Sequence, residues 1–446
     1  MLKSSIAYLP IGRKTFDMAA AESVRKESEE WLRDHCETVF APDRILTSPD
    51  ELAIFFETLR GKRIDSILYQ SVTFADGEFA VKALEYSQAP FIVWTVREPG
   101  TGGRLRLNSL TGGNSTCNVL MNRRHPYSFA FGNPSESALQ EQLLWQLQAQ
   151  RLIGELKRLT IGVVGERPPG FYFSEADEEE LKGKFGVSLH PIDLRKAFRE
   201  CVELEESRYI GAIERAERQV AGLKRNEESV IKFAQFYTYI QDYIQANRIG
   251  AVAVRCWPEF FTELGAAACS TLSQLTEVGV VASCESDIHG AISMFLLREL
   301  SGGRPPYIGD LVHVDETNNV VVFWHCGAGA YSLANPKTGA QAGVQPNRKL
   351  GFALEFGLKP GKVTIFRLGR TPDGYRMLVM KGEALDVPQS FSGTSVDVRL
   401  NTPVMETLNR LMLDGFEPHY TLVYEDVVPG LIELGRQLGI PAVVYD

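Results

Sequence analysis

AVAVRCWPEFF (residues 251–261) and VVASCESDIHG (residues 280–290) follow one plan. Each opens as an apolar run, at 251–254 and 280–282, and passes a cysteine, Cys256 or Cys284. Each then meets carboxylates where a helix is expected: Glu259 after Pro258, and Glu285 with Asp287. Short apolar runs followed by helical patterns read as the strands of a parallel sheet. Pro258 suits a first helical position. Asp287 suits the cap of IHGAISMFLLREL, whose Ile288, Ile292, Phe295 and Leu296 are spaced for a buried face.

The same alternation extends towards the N-terminus. SSIAYLPIG, IDSILYQ (64–70) and PFIVWTV (90–96) read as strands, separated by helical ESVRKESEEWLRDHCE and GEFAVKALEYS. LTIGVVGERPPGF (159–171) opens a second α/β unit that ends near LRELSGGRPP. Beyond about residue 303 the pattern changes to short alternating strands broken by turn residues such as Thr-Asn-Asn and Pro-Asp-Gly, as in an antiparallel barrel or sandwich. The expected domains are 1–155, 156–302 and 303–446.

Composition bounds the function. The 446 residues are 44% hydrophobic and 23% charged, with net charge −9, and no Lys/Arg block suggests nucleic acid. No apolar run is long enough for a membrane span and no signal peptide is visible, so a cytoplasmic protein is expected. The seven cysteines, at 36, 117, 201, 256, 269, 284 and 326, form no C-x-x-C pair and read as free, mostly buried thiols.

Ligands of a parallel sheet bind beyond the carboxyl ends of its strands, where both acidic junctions lie. An acid at a helix N-terminus is ordinarily a cap, favoured by about 0.3–1 kcal/mol. Two at successive junctions, on strands about 4.8 Å apart, can converge. Converging carboxylates need a proton or a metal between them, and oxygen-rich sites with an imidazole suit Mn²⁺ or Mg²⁺. His325 and His419, at the ends of strand-like runs, are the imidazoles so placed.

RCWPEFF, CESD with GAISMFLLREL behind it, WHCG, and the late PHYTLVYED together resemble the L-fucose isomerase and L-arabinose isomerase superfamily. YLPIGRKTFD, YQSVTFADG and REPGTGGRLRLNSLTGGN resemble its substrate-side loops. The resemblance implies an α/β chain: two doubly wound, Rossmann-like domains followed by a β-rich antiparallel C-terminal domain. It implies an aldose–ketose isomerase with a divalent metal, usually Mn²⁺, with Mg²⁺ or Co²⁺ as alternatives. The ligands it implies are Glu259, Asp287 and His419, with Glu285 as the alternative acid. Glu259, Asp287 and Glu285 are the catalytic carboxylates on this reading. Gln70, Thr73, Phe74, Asn108, Asn114, Trp257 and His325 would face the sugar. The resemblance also implies a homo-oligomer, a trimer or hexamer, with the active site at a subunit interface.

The chemistry fits this kit. Moving a proton between C1 and C2 needs a Lewis acid on the oxygens and a carboxylate base beside the carbon. The substrate-side loops also carry Arg13, Arg97, Arg104, Arg106, Arg123 and Arg124. Their ordinary role is pairing with nearby acids. The functional alternative, with Arg13 and Arg97 in front, is an anion at the far end of the sugar, because the guanidinium fork matches sulfonate or phosphate oxygens. A 6-sulfonated hexose such as sulfoquinovose is then the sharpest candidate. An isomerase of a neutral deoxyhexose or pentose, or a non-catalytic sugar-binding protein, is the alternative.

Overall fold

Residues 2–445 are described by the computed structural model, which divides into two units. One runs through Gly154 and takes in Arg436–Gly439; the other is Glu155–Gly435 with the chain from Ile440. The first holds strands β1 (Leu2–Ile11), β2 (Cys36–Phe40), β3 (Ser66–Ser71), β4 (Phe91–Thr95) and β5 (Tyr127–Phe131). All pair in parallel, in the order β2-β1-β3-β4-β5. The sheet is buried on both faces: Ile6 and Tyr8 enter one core, Ala7, Leu9 and Ile11 the other. That is why its central strands read as unbroken apolar runs. The edge strand β2, CETVF, is half-exposed and carries no such signal; the helix expected through this stretch ends at His35. The strand order reverses at β1, so the loops after β1 and β3 border the crevice where ligands of such sheets bind.

The second unit runs β6 (Thr160–Val164), β7 (Ser188–Ile192), the two-residue β8 (Val220–Ala221), β9 (Ala251–Val254) and β10 (Val281–Cys284). It continues through β11 (Tyr307–Asp315), β12 (Val320–His325), β13 (Ala340–Gly343), β14 (Ala353–Gly357) and β15 (Gly361–Thr371). β16 (Gly374–Ala384), β17 (Thr394–Leu400), β18 (His419–Val423) and β19 (Ala442–Tyr445) complete it. Strands β10-β9-β6-β7 make a parallel sheet, so the two quoted stretches are neighbouring strand ends, with Cys284 in register with Val254. After β9 the helix expected to start at Pro258 is instead a single π turn, Phe260–Leu264, with Glu259 at its cap. The remaining strands form a largely antiparallel sheet, and the β16–β17 pairing closes six of them into a ring, β16-β15-β18-β11-β12-β17. Of barrel and sandwich, the barrel is what forms. One continuous core joins it to the parallel sheet: Val252 and Cys284 pack in the same cluster as Phe323, Ile365 and Leu422.

Candidate active site

The site assembles where β10 ends against the barrel. Glu285 and Ser286 both adopt left-handed backbone, with φ of +57° and +53°. Such conformations are costly for residues with a Cβ and persist where the surroundings enforce them. Here Ser286 N donates to Val254 O (3.1 Å) and Asp287 N to Cys284 O (3.0 Å). The turn points the Glu285 carboxylate at two donors: Trp257 Nε1 (3.2 Å) and His419 Nε2 (2.9 Å).

His419 opens β18 and is buried. Its other nitrogen, Nδ1, lies 2.9 Å from Asp287 Oδ2. Burial pulls the imidazole's pKa down, but the bonds to Asp287 and Glu285 outweigh it and raise the pKa to about 10. Two carboxylates thus flank one imidazole. Across the barrel wall Asp310, in register with both His419 and Trp324, brings Oδ1 to 3.7 Å from His419 Nε2. Burial raises the Asp310 carboxyl above its ordinary value, against the pull of His419 and His325. His325 ends β12 with its ring 5.8 Å from that of His419.

Asp287 has a different task. Its Oδ1 accepts from Gly290 N (2.8 Å), capping the helix Ile288–Leu300. Arg367, fully buried on β15, grips both oxygens through Nη1 (2.5 Å) and Nη2 (3.0 Å). Burial acts to raise the Asp287 pKa, but Arg367 and His419 outweigh it and hold the carboxyl below its ordinary range. Glu259 is likewise engaged: Arg255 donates to it from Nε (2.7 Å) and Nη2 (2.6 Å).

Metal fit follows from which donor atoms converge. The set expected from the sequence was Glu259, Asp287 and His419. Among the described residues, the oxygen–nitrogen group whose donors lie within 4.8 Å of one another is Glu285, His325 and His419; Glu259 and Asp287 are not in it. One carboxylate and two imidazoles suit a divalent first-row ion.

A cavity of about 350 Å³ opens beside this cluster. Glu285, Asp310, His325, Trp257, Trp324 and Arg348 line it. The Arg348 guanidinium lies 5.8 Å over the Trp257 ring, and among the described residues no carboxylate pairs with it. Sequence reasoning missed Asp310 and Arg348. Asp310 sits in an ordinary-looking alternating strand, and Arg348 in a loop with no motif.

No family model matches the chain. A sulfoquinovose isomerase of Priestia megaterium is 63% identical over 445 residues, covering 100% of both chains. One of Alkalicoccus urumqiensis is 54% identical over 439 residues, covering 98% of this chain and 99% of its own. One of Clostridium sp. is 37% identical over 454 residues, covering 100% of both. The chain belongs to the sulfoquinovose isomerase family. It is therefore a sugar isomerase, as the motif resemblance implied. A periplasmic solute-binding protein from Actinobacillus succinogenes with bound D-allose aligns over 69% of this chain and 85% of its own. At 12% identity and a TM-score of 0.18, that alignment does not relate the folds.

For a member of the sulfoquinovose isomerase family, the residues expected to face sugar divide sharply. Trp257 and His325 line the cavity. Gln70 is buried and spent on Tyr8 and on Ser28 Oγ (2.9 Å). Thr73 Oγ1 accepts from Arg13 N (2.8 Å), while Phe74 carries the Arg13 guanidinium at 5.2 Å, beside Asp76. Asn108, left-handed at φ +52°, donates to Glu98, and Asn114 lies exposed on the next helix. Arg97 forks onto Glu136 (2.7 Å twice) and Arg106 onto Asp17 (2.7 and 2.9 Å). Arg13, Arg97 and Arg106 therefore pair with acids, while Arg104 donates to the Thr15 carbonyl.

Proposed function

We propose that this chain interconverts sulfoquinovose and its 2-ketose, and that Glu285, Asp310, His325 and His419 carry the reaction. The observation that carries this reading is that Glu285 and Asp310, which line the cavity with Arg348, lie 2.9 and 3.7 Å from one imidazole nitrogen, that of the buried His419. Full-length relatives named sulfoquinovose isomerase support it. Placement in the wider fucose and arabinose isomerase superfamily rests on the motifs alone.

A divalent ion, Mn²⁺ or else Mg²⁺ or Co²⁺, would be held by Glu285, His325 and His419; when bound it polarises the sugar oxygens as a Lewis acid. Asp310 is the proton carrier on this reading. It removes the proton from C2 of the open-chain aldose and returns it to C1, while the hydroxyl proton passes from O2 to O1. Asp287 and Arg367 keep His419 aimed from behind. Trp257 and Trp324 wall the cavity against water. Arg13, Arg97 and Arg106 are already paired, and Arg348, which lines this cavity, is the guanidinium placed to meet a sulfonate. The homo-oligomer, a trimer or hexamer, is carried on resemblance, and sedimentation of the purified chain reads it directly.

The test uses sulfoquinovose, Mn²⁺ and D₂O. Ketose should form carrying solvent deuterium at C1. Asp310→Asn should lower kcat by about 10²–10⁴-fold and still bind Mn²⁺, whereas Glu285→Gln should lose both. Normal turnover by Asp310→Asn, or normal Mn²⁺ uptake by Glu285→Gln, would remove these assignments.

A further inference from the structure

Beside the carboxylate–imidazole cluster lies a second cluster that the isomerisation does not use. Cys256 and Cys284 come from corresponding ends of the neighbouring strands β9 and β10, and their sulfurs are 2.9 Å apart. Cys269 opens the helix Cys269–Glu277, and its sulfur is 3.2 Å from that of Cys326, the residue after β12. Cys256, Cys269 and Cys284 are buried, at 5%, 1% and 0% exposure, and Cys326 is half-buried. Cys326 Sγ also touches His325 Nδ1 at 3.4 Å. The donor atoms of Cys284, His325 and Cys326 all lie within 4.8 Å of one another.

We propose that Cys284, Cys326 and His325 bind a thiophilic metal ion of the zinc class, with Cys256 and Cys269 supporting the two sulfur ligands. A tetrahedral zinc with sulfurs at about 2.3 Å and nitrogen at about 2.0 Å sets its ligand atoms some 3.5–3.8 Å apart, within the spread present here. Thiolates select such ions and disfavour Mn²⁺ or Mg²⁺, which prefer oxygen. Binding releases the thiol protons of Cys284 and Cys326 to solvent. Cys256 and Cys269, each touching one ligand sulfur, then donate S–H bonds to the thiolates, the support that outer groups give metal ligands. Three protein ligands leave a fourth position open. Because the sulfur side takes Nδ1 of His325, the two clusters share one imidazole. Cys256, Cys269 and Cys326 line the same cavity as Glu285 and Asp310, so a zinc-class ion perturbs the sugar side directly.

Cd²⁺ added to the reduced, metal-free full-length protein is the probe, read by its sulfur-to-metal charge-transfer absorption. One equivalent should bind, with the intensity of two thiolates. Cys284→Ser and Cys326→Ser should each lose the band, and Cys256→Ser should weaken binding by about 10–100-fold. Cys36→Ser and Cys117→Ser should change nothing. On the wild type alone, excess Zn²⁺ should remove the band and excess Mn²⁺ should leave it. No band in the wild type, a band unchanged in both ligand variants, or a band displaced by Mn²⁺ overturns the site.

Discussion

A single imidazole organises the centre. His419 meets Asp287 on one nitrogen and Glu285 on the other, and the two acids have different fates. Asp287 is closed off by Arg367 and a helix N-terminus; Glu285 faces the cavity. At the cavity's edge, Arg348 rests on Trp257 with no carboxylate partner among the described residues. Charged hydrogen bonds are worth roughly 1.5–3 kcal/mol. Arg348→Gln should therefore cut kcat/KM for sulfoquinovose by about 30-fold and leave the neutral 6-deoxy analogue nearly unchanged. Equal losses on both sugars would make Arg348 a structural partner of Trp257. The sequence exposed His419, Glu285 and Asp287 because they punctuate apolar strands at sheet ends. Asp310 stayed hidden because its role depends on which barrel strands become neighbours, and strand order leaves no local trace.

At the scale of elements, the helix Ile288–Leu300 begins with no room for a Cβ at Gly290. A Cβ on Gly290 would stand 2.4 Å from Asp287 Oδ2 and 3.1 Å from Arg367 Nη1. Alanine ordinarily gains up to about 1 kcal/mol over glycine inside a helix. Here that gain is opposed by displacement of a buried ion pair, whose loss costs about 3–5 kcal/mol. The second effect wins: Gly290→Ala should lower the unfolding free energy by about 2–4 kcal/mol in urea titrations. A variant as stable as the wild type would show that the cap and Arg367 can slide aside together. The cap itself was readable, since Asp before a periodic apolar run is a helix start. Arg367 was not, because a fully buried arginine inside an apolar strand has no pattern of its own; its partner lies 80 residues away.

For the molecule as a whole, acid is the relevant stress. His289 is buried with both ring nitrogens unpartnered among the described residues, and burial lowers its pKa to about 4. The unfolded chain, with an ordinary histidine pKa near 6.5, binds the proton first, so stability falls as pH drops from about 6.5 to 4. The full loss is about 3 kcal/mol. His289→Leu should flatten that part of the stability curve; an unchanged slope between pH 6.5 and 4 would place the acid sensitivity elsewhere. Sequence patterning carried the parallel sheets and the later turn to antiparallel strands, because burial on two faces or one writes period and composition directly. It could not distinguish sandwich from barrel, since that depends on one pairing, β16 with β17. This pairing has a further consequence. An open sheet frays from its outer strands inward, and whatever those strands carry is lost first. The ring has no outer strand among its six, and β11, β12 and β18, which bear Asp310, His325 and His419, are consecutive staves. Their amides are expected among the slowest in the chain to exchange with solvent. The barrel-borne half of the site should then outlast the turn at Glu285 and Ser286, which no ring closure holds.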